Sequence, residues 1–121
     1  MAYRAYGEVR DRTASSTTIE LSLFRQITAA LKEVAASSTP DPASWADALS
    51  RNMSLWAILA ADLMRPENEM PLEIRTGLIN LSEFVRKTSM RVLSGSDEIQ
   101  DLIDVNITIT KGLAIRAGET V

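Results

Sequence analysis

Between Leu55 and Val85 two runs of apolar residues at helical spacing meet across Arg65-Pro66-Glu67-Asn68-Glu69-Met70-Pro71, a connector carrying two prolines. Proline removes an amide donor and clashes with the carbonyl four residues back, so the first helix has to stop before Pro66. The next helix begins near Pro71. The stretch predicts a helical hairpin. Its apolar faces need a further layer to cover them, and the rest of the chain offers more helix.

Residues 1–16 show no sustained period and end in the polar run Thr13-Ala14-Ser15-Ser16, which reads as a flexible arm. Thr17 and Glu20 have the spacing of a capping box, so a first helix starts there. Ile19, Leu23, Ile27, Ala30, Leu31 and Val34 then fall on one side, and the pattern stops around Ser37 to Pro40. Asp41-Pro42 is a second start, a carboxylate cap followed by proline. The helix it opens reaches about Met64, with Trp45, Leu49, Trp56, Leu59, Ala60 and Leu63 inward. Leu55 and Ile58 lie outside that stripe, which makes its second half apolar nearly all round and places it at the centre of the bundle. The third helix begins near Pro71, carries Ile74, Leu78, Leu81, Val85 and Val92 on one face, and ends at a left-handed cap at Ser94-Gly95. Glu83 and Lys87 are spaced to pair on its outer side.

The last element is ambiguous, because Ile103 to Thr110 alternates apolar and polar residues and is rich in β-branched side chains, a strand signature. No other segment supplies a strand to pair with, and an unpaired strand leaves its backbone hydrogen bonds unmet. Ser96 can cap a helix instead, Asp97 and Glu98 suit its positive end, and helical spacing groups Ile99, Leu102, Ile103, Ile109 and Leu113. A helix is therefore expected, with a frayed tail over 114–121. The expectation is an all-α chain: an N-terminal arm over 1–16, then an antiparallel up-and-down bundle of about four helices over 17–113.

At 121 residues, 45% hydrophobic and 24% charged, the chain has the size and composition of one globular domain. It contains no cysteine and no histidine, which removes disulfides, the usual zinc ligands and the commonest general base. There is no glycine-rich phosphate loop and no nucleophile elbow. Asp97, Asp101 and Asp104 are spaced as the solvated side of a helix, so neither a metal nor a cofactor is expected, and no catalytic residue can be named. The run Leu55 to Ala61 is far shorter than the roughly 20 residues that cross a bilayer. The first residues lack the apolar core of a secretory signal, so the expected location is cytoplasmic. With 13 basic against 16 acidic side chains the net charge is −3, which disfavours direct nucleic-acid binding. The local basic group Arg86, Lys87 and Arg91 suits the negative end of the third helix.

What remains is contact with another macromolecule. Asn52 and Asn106 each fall inside the apolar stripe of their helix. Such amides are either satisfied internally, setting helix register, or line a groove that grips a partner's backbone. Ile79 and Met90 lie on a second side of the third helix, with Leu72 and the stem of Arg86 nearby. They are either scattered surface residues or a docking strip. Tyr3, Tyr6 and Val9 are spaced three apart and share one side of a turn, fit to fold back on the bundle or to touch a partner.

Several stretches also resemble one known family: Ala5-Tyr6-Gly7-Glu8-Val9, Leu55-Trp56, Asp62-Leu63, Pro66-Glu67-Asn68, Pro71, Leu78-Ile79, Leu102-Ile103-Asp104-Val105-Asn106 and Gly112-Leu113. Together they span nearly the whole chain and are similar to the FlaF family of flagellar-biosynthesis regulators. The resemblance implies a non-enzymatic cytoplasmic factor of flagellated alphaproteobacteria that is needed for flagellin production and export. It implies that flagellin is a partner, bound as a secretion chaperone or adaptor binds its cargo. The alternative it leaves is control of flagellin messenger RNA translation with or through the regulator FlbT. No site residues come with the resemblance.

Overall fold

A computed structural model of the chain describes residues 21–116, and among them are four helices and no strand. These are α1 over 21–36, α2 over Pro42–Leu63, α3 over Leu72–Leu93 and α4 over Ile99–Arg116. The arm with Tyr3, Tyr6 and Val9, and the Thr17 capping box, lie outside the described residues.

The start and stop signals act through the expected atoms. The Asp41 carboxylate accepts the Ser44 amide at 3.2 Å, satisfying one of the donors a helix start leaves open, and Pro42 occupies the first turn. At the end of α3, Gly95 adopts φ 108°, a conformation that glycine alone enters without crowding its own Cβ. Two hydrogen bonds close that end, Gly95 N–H to the Val92 carbonyl and Ser96 N–H to the Arg91 carbonyl, each at 3.0 Å, the pair that defines a Schellman turn. Ser96 Oγ accepts the Glu98 amide at 3.2 Å on the way into α4. In the α2–α3 connector the Asn68 side chain donates to the Asp62 carbonyl and carboxylate, and accepts the Met70 amide at 3.0 Å, tying the loop to the end of α2.

The four helices pack as a bundle with α2 touching all the others. Phe24 of α1 meets Trp56 edge-on, with ring centres 5.6 Å apart and planes at 86°. Phe24 lies about as far before the α1–α2 connector as Trp56 lies after it, the pairing that a short antiparallel hairpin produces. α3 packs against α2 and against α4. α4 reaches α2 through side chains described below. The core comprises Leu21, Phe24, Ile27 and Leu31 of α1, Leu49, Trp56 and Leu63 of α2, Val85 and Val92 of α3, and Leu102, Ile103 and Leu113 of α4, with their close neighbours. The strand-like alternation of 103–110 is thus overruled by helical packing, as the absence of a pairing partner required.

Several expectations are corrected in detail. On α1 the buried stripe runs through Leu21 and Phe24, and Leu23 is exposed, because Trp56 draws the aromatic side of the helix inward. α2 is not covered all round: Leu55 is buried but Ile58 is 69% exposed on the side away from the other helices. Trp45 is only half-buried against the core. Ile74 stays exposed near the start of α3, and Leu78 and Leu81 are half-buried. The bundle does not stop at residue 113, since α4 continues through Arg116 and buries Ala114.

Candidate docking surface

The side of α3 turned from the core carries an apolar strip. Leu72, Ile79 and Arg86 are spaced seven apart and Met90 follows four residues later, so all four lie along one side of a helix. Leu72 is 69% exposed and Met90 53%. Ile79 is half-buried and leans on the core edge, so it joins the strip to the interior. Leu93, three residues past Met90 and seven past Arg86, is exposed and extends the same side. That spacing is present in the sequence, and Leu93 is the last residue before the helix cap. Methionine and leucine side chains at such a position present polarisable, adaptable apolar surface.

The charges beside the strip are already matched. The Arg86 guanidinium donates to both Glu83 oxygens, with Nε 3.1 Å from Oε2. That hydrogen bond is the main cause holding the Glu83 carboxyl below its usual value and raising the guanidinium above its own. Lys87 Nζ lies 4.0 Å from the same carboxylate. Both pairs are exposed, so they add little to stability. Arg86 therefore offers a partner its stem rather than an unmatched charge.

Asn52 and Asn106 occupy a different place. Both are 0% exposed, and they meet in the core. Trp56 Nε1–H donates to Asn106 Oδ1 at 2.9 Å, and Asn106 Nδ2 donates to Asn52 Oδ1 at 2.7 Å. The chain of bonds bolts α4 to α2 and leaves one open end, since Asn52 Nδ2 finds no acceptor among the described residues. A buried amide half-satisfied in this way is costly to misplace, which holds the two helices in one register. In this arrangement neither amide presents an atom to the surface.

The described residues contain no group of acidic or other ligating side chains placed to hold a metal ion. Asp97, Asp101 and Asp104 are exposed, and the last two lie on the outer side of α4. Arg91 Nε binds Glu98 Oε2 at 2.8 Å and its Nη2 binds Thr88 Oγ1 at 3.0 Å, so the most C-terminal of the three cations clasps the α3–α4 turn. No described helix is long and apolar enough to cross a membrane.

No curated protein and no solved structure matches the chain. A family model described as "Flagellar protein FlaF" matches residues 2–113, nearly the whole length, including the proline connector, the α3 strip and the amide pair. A bundle that presents an apolar helix face, matched over nearly its whole length by that model, belongs to the FlaF family of flagellar proteins.

Proposed function

We propose that this protein is a non-enzymatic cytoplasmic factor that binds flagellin before assembly, as a secretion chaperone or adaptor, and so couples flagellin synthesis to export. The observation that carries this reading is the exposed strip of Leu72, Met90 and Leu93 along α3, in a chain of a flagellar family. Flagellin's terminal regions are amphipathic while unassembled, and an amphipathic helix is held by laying its apolar side against a complementary apolar surface. Covering that side would keep subunits from polymerising early. The net charge of −3 supports a protein partner over direct contact with messenger RNA, whose phosphates call for an excess of cations.

Isothermal titration of purified flagellin into the full chain tests the reading. Saturable binding with a Kd of about 1 μM or tighter, and a negative heat-capacity change from apolar burial, is expected. Absence of heat would count decisively against it. A gel shift with flagellin messenger RNA that weakens steeply as salt rises would instead favour the translational role, exerted directly or together with FlbT.

A further inference from the structure

On the side of the bundle where α1 faces α4 there is a cleft of about 290 Å³. Its lining includes Arg25, Lys32 and Lys111, together with Ala29 and Ile107, and no acidic residue. Two lysines around one cleft with no acidic residue in its lining stand out in a chain whose net charge is −3. Lys32 and Lys111 pair with no carboxylate among the described residues, unlike Arg86 and Arg91, which are both matched.

Thr28 lines the same cleft and is only 5% exposed, yet its Oγ1 has no hydrogen-bond partner among the described residues. Helical threonines commonly satisfy the hydroxyl on the carbonyl four residues back. Thr108 does so on Asp104 at 3.0 Å and Thr110 on Asn106 at 2.7 Å. Thr28 does not. A buried hydroxyl left unmatched beside unpaired lysines is what a ligand's acceptor oxygen would complete.

The walls also select the kind of anion. Residues 25–32 and 107–111 lie within helices, where the backbone amides are already spent on helix hydrogen bonds. Phosphate sites characteristically use free amides at a helix start, and none is available here. Ammonium groups beside Ala29 and Ile107 suit a carboxylate on a short apolar stem. The cleft lies at the small end of the range for ligand pockets, about 300 Å³ and upward, which fits one such group rather than a large cofactor.

We propose that this cleft is a carboxylate-binding site, with Lys32 and Lys111 holding the anion, the Thr28 hydroxyl donating to it, and the stem packed on Ala29 and Ile107. The carboxylate is supplied either by a free aliphatic acid or by an acidic side chain of a bound protein. The site lies on α1 and α4, away from the α3 strip, and does not depend on the flagellin reading.

The test is titration of the ¹⁵N-labelled full chain, followed by amide shifts, with sodium glutarate and with a short peptide bearing one glutamate among leucines. Sodium sulfate at equal ionic strength is the control. Saturating shifts confined to 25–32 and 107–111 are expected from at least one carboxylate probe. Saturation by glutarate identifies a free acid as the source, and tighter saturation by the peptide identifies an acidic side chain. Lys32→Glu and Lys111→Glu should each weaken binding about tenfold, as loss of a charge-assisted hydrogen bond does. Lys32→Gln should weaken it in the same direction without reversing charge. Thr28→Val should weaken binding about threefold while the melting temperature holds or rises, because the hydroxyl it removes has no partner in the free protein. Equal shifts from sulfate, shifts that never saturate, or unchanged affinity in both lysine variants would overturn the proposal.

Discussion

α2 and α3 have the same length, 22 residues, and use it differently. α2 buries eight residues spread from Ala48 to Leu63. α3 buries four, all from Val85 onward, and two of those are Thr88 and Ser89. The N-terminal half of α3 therefore rests on the core through half-buried side chains while leaving Leu72 and Ile74 in water. A helix buried along its length holds the fold together; one buried at a single end keeps a face for something else. Local stability follows burial, so α3 near Leu72 should open more readily than α2 near Trp56.

The contrast has measurable consequences, and the largest concerns α2. Trp56→Ala removes a side chain that fills the core, the edge-on contact with Phe24 and the donor to Asn106. A loss of about 3–5 kcal/mol in denaturant unfolding is expected. A loss below about 1 kcal/mol would show that α2 is not the organising helix.

Asn106→Ala should cost less, about 2–3 kcal/mol, because it strands the Trp56 indole N–H and the Asn52 carbonyl oxygen in a dry core. Urea unfolding of the single variant and of the double variant with Asn52→Ala separates the pair energy from the two individual losses.

On α3, Leu72→Glu and Met90→Glu should change stability by no more than about 0.5 kcal/mol, since both sites already face water. The same variants should lower flagellin affinity by about tenfold or more. Wild-type binding in both would remove the strip from the interface.

The smallest effect belongs to the α3–α4 turn. Hydrogen bonds from Arg91 first, then Ser96, hold the Glu98 carboxyl below its usual value of 4.5. A folded value below the unfolded one means the contribution is complete above pH 4.5 and is lost as pH falls through the depressed value. Thermal scans should show a small advantage of the wild type over Glu98→Gln near neutral pH that shrinks in acid.

Much of this architecture could be read from residue order because its causes are local. Asp41-Pro42, the two connector prolines and Ser94-Gly95 act on neighbouring backbone atoms, and each does so where expected. The helical state of 103–110 was also accessible, by the argument that a lone strand has nothing to bond. The stripe on α1 was displaced because Leu21, Leu23, Phe24 and Ile27 are all apolar, and only Trp56, thirty-two positions beyond Phe24, decides which side turns inward. Ile58 misled for the same reason, since an apolar side chain does not state whether a neighbour will arrive to cover it. The α3 strip is legible in the spacing of Leu72, Ile79, Arg86 and Met90, which Leu93 shares. The cleft at Thr28 was not, because its two walls come from opposite ends of the described chain and its distinguishing feature is a bond that is not made.

The amide pair also bears on how the molecule comes into being. Asn52 and Asn106 are 54 positions apart, and every residue of α3 lies between them. Until α4 docks, water satisfies the Asn52 amide, and docking exchanges that water for the Asn106 side chain in a dry seam. Closing that contact spans a long loop, and its formation reports that the last helix has docked in the correct alignment.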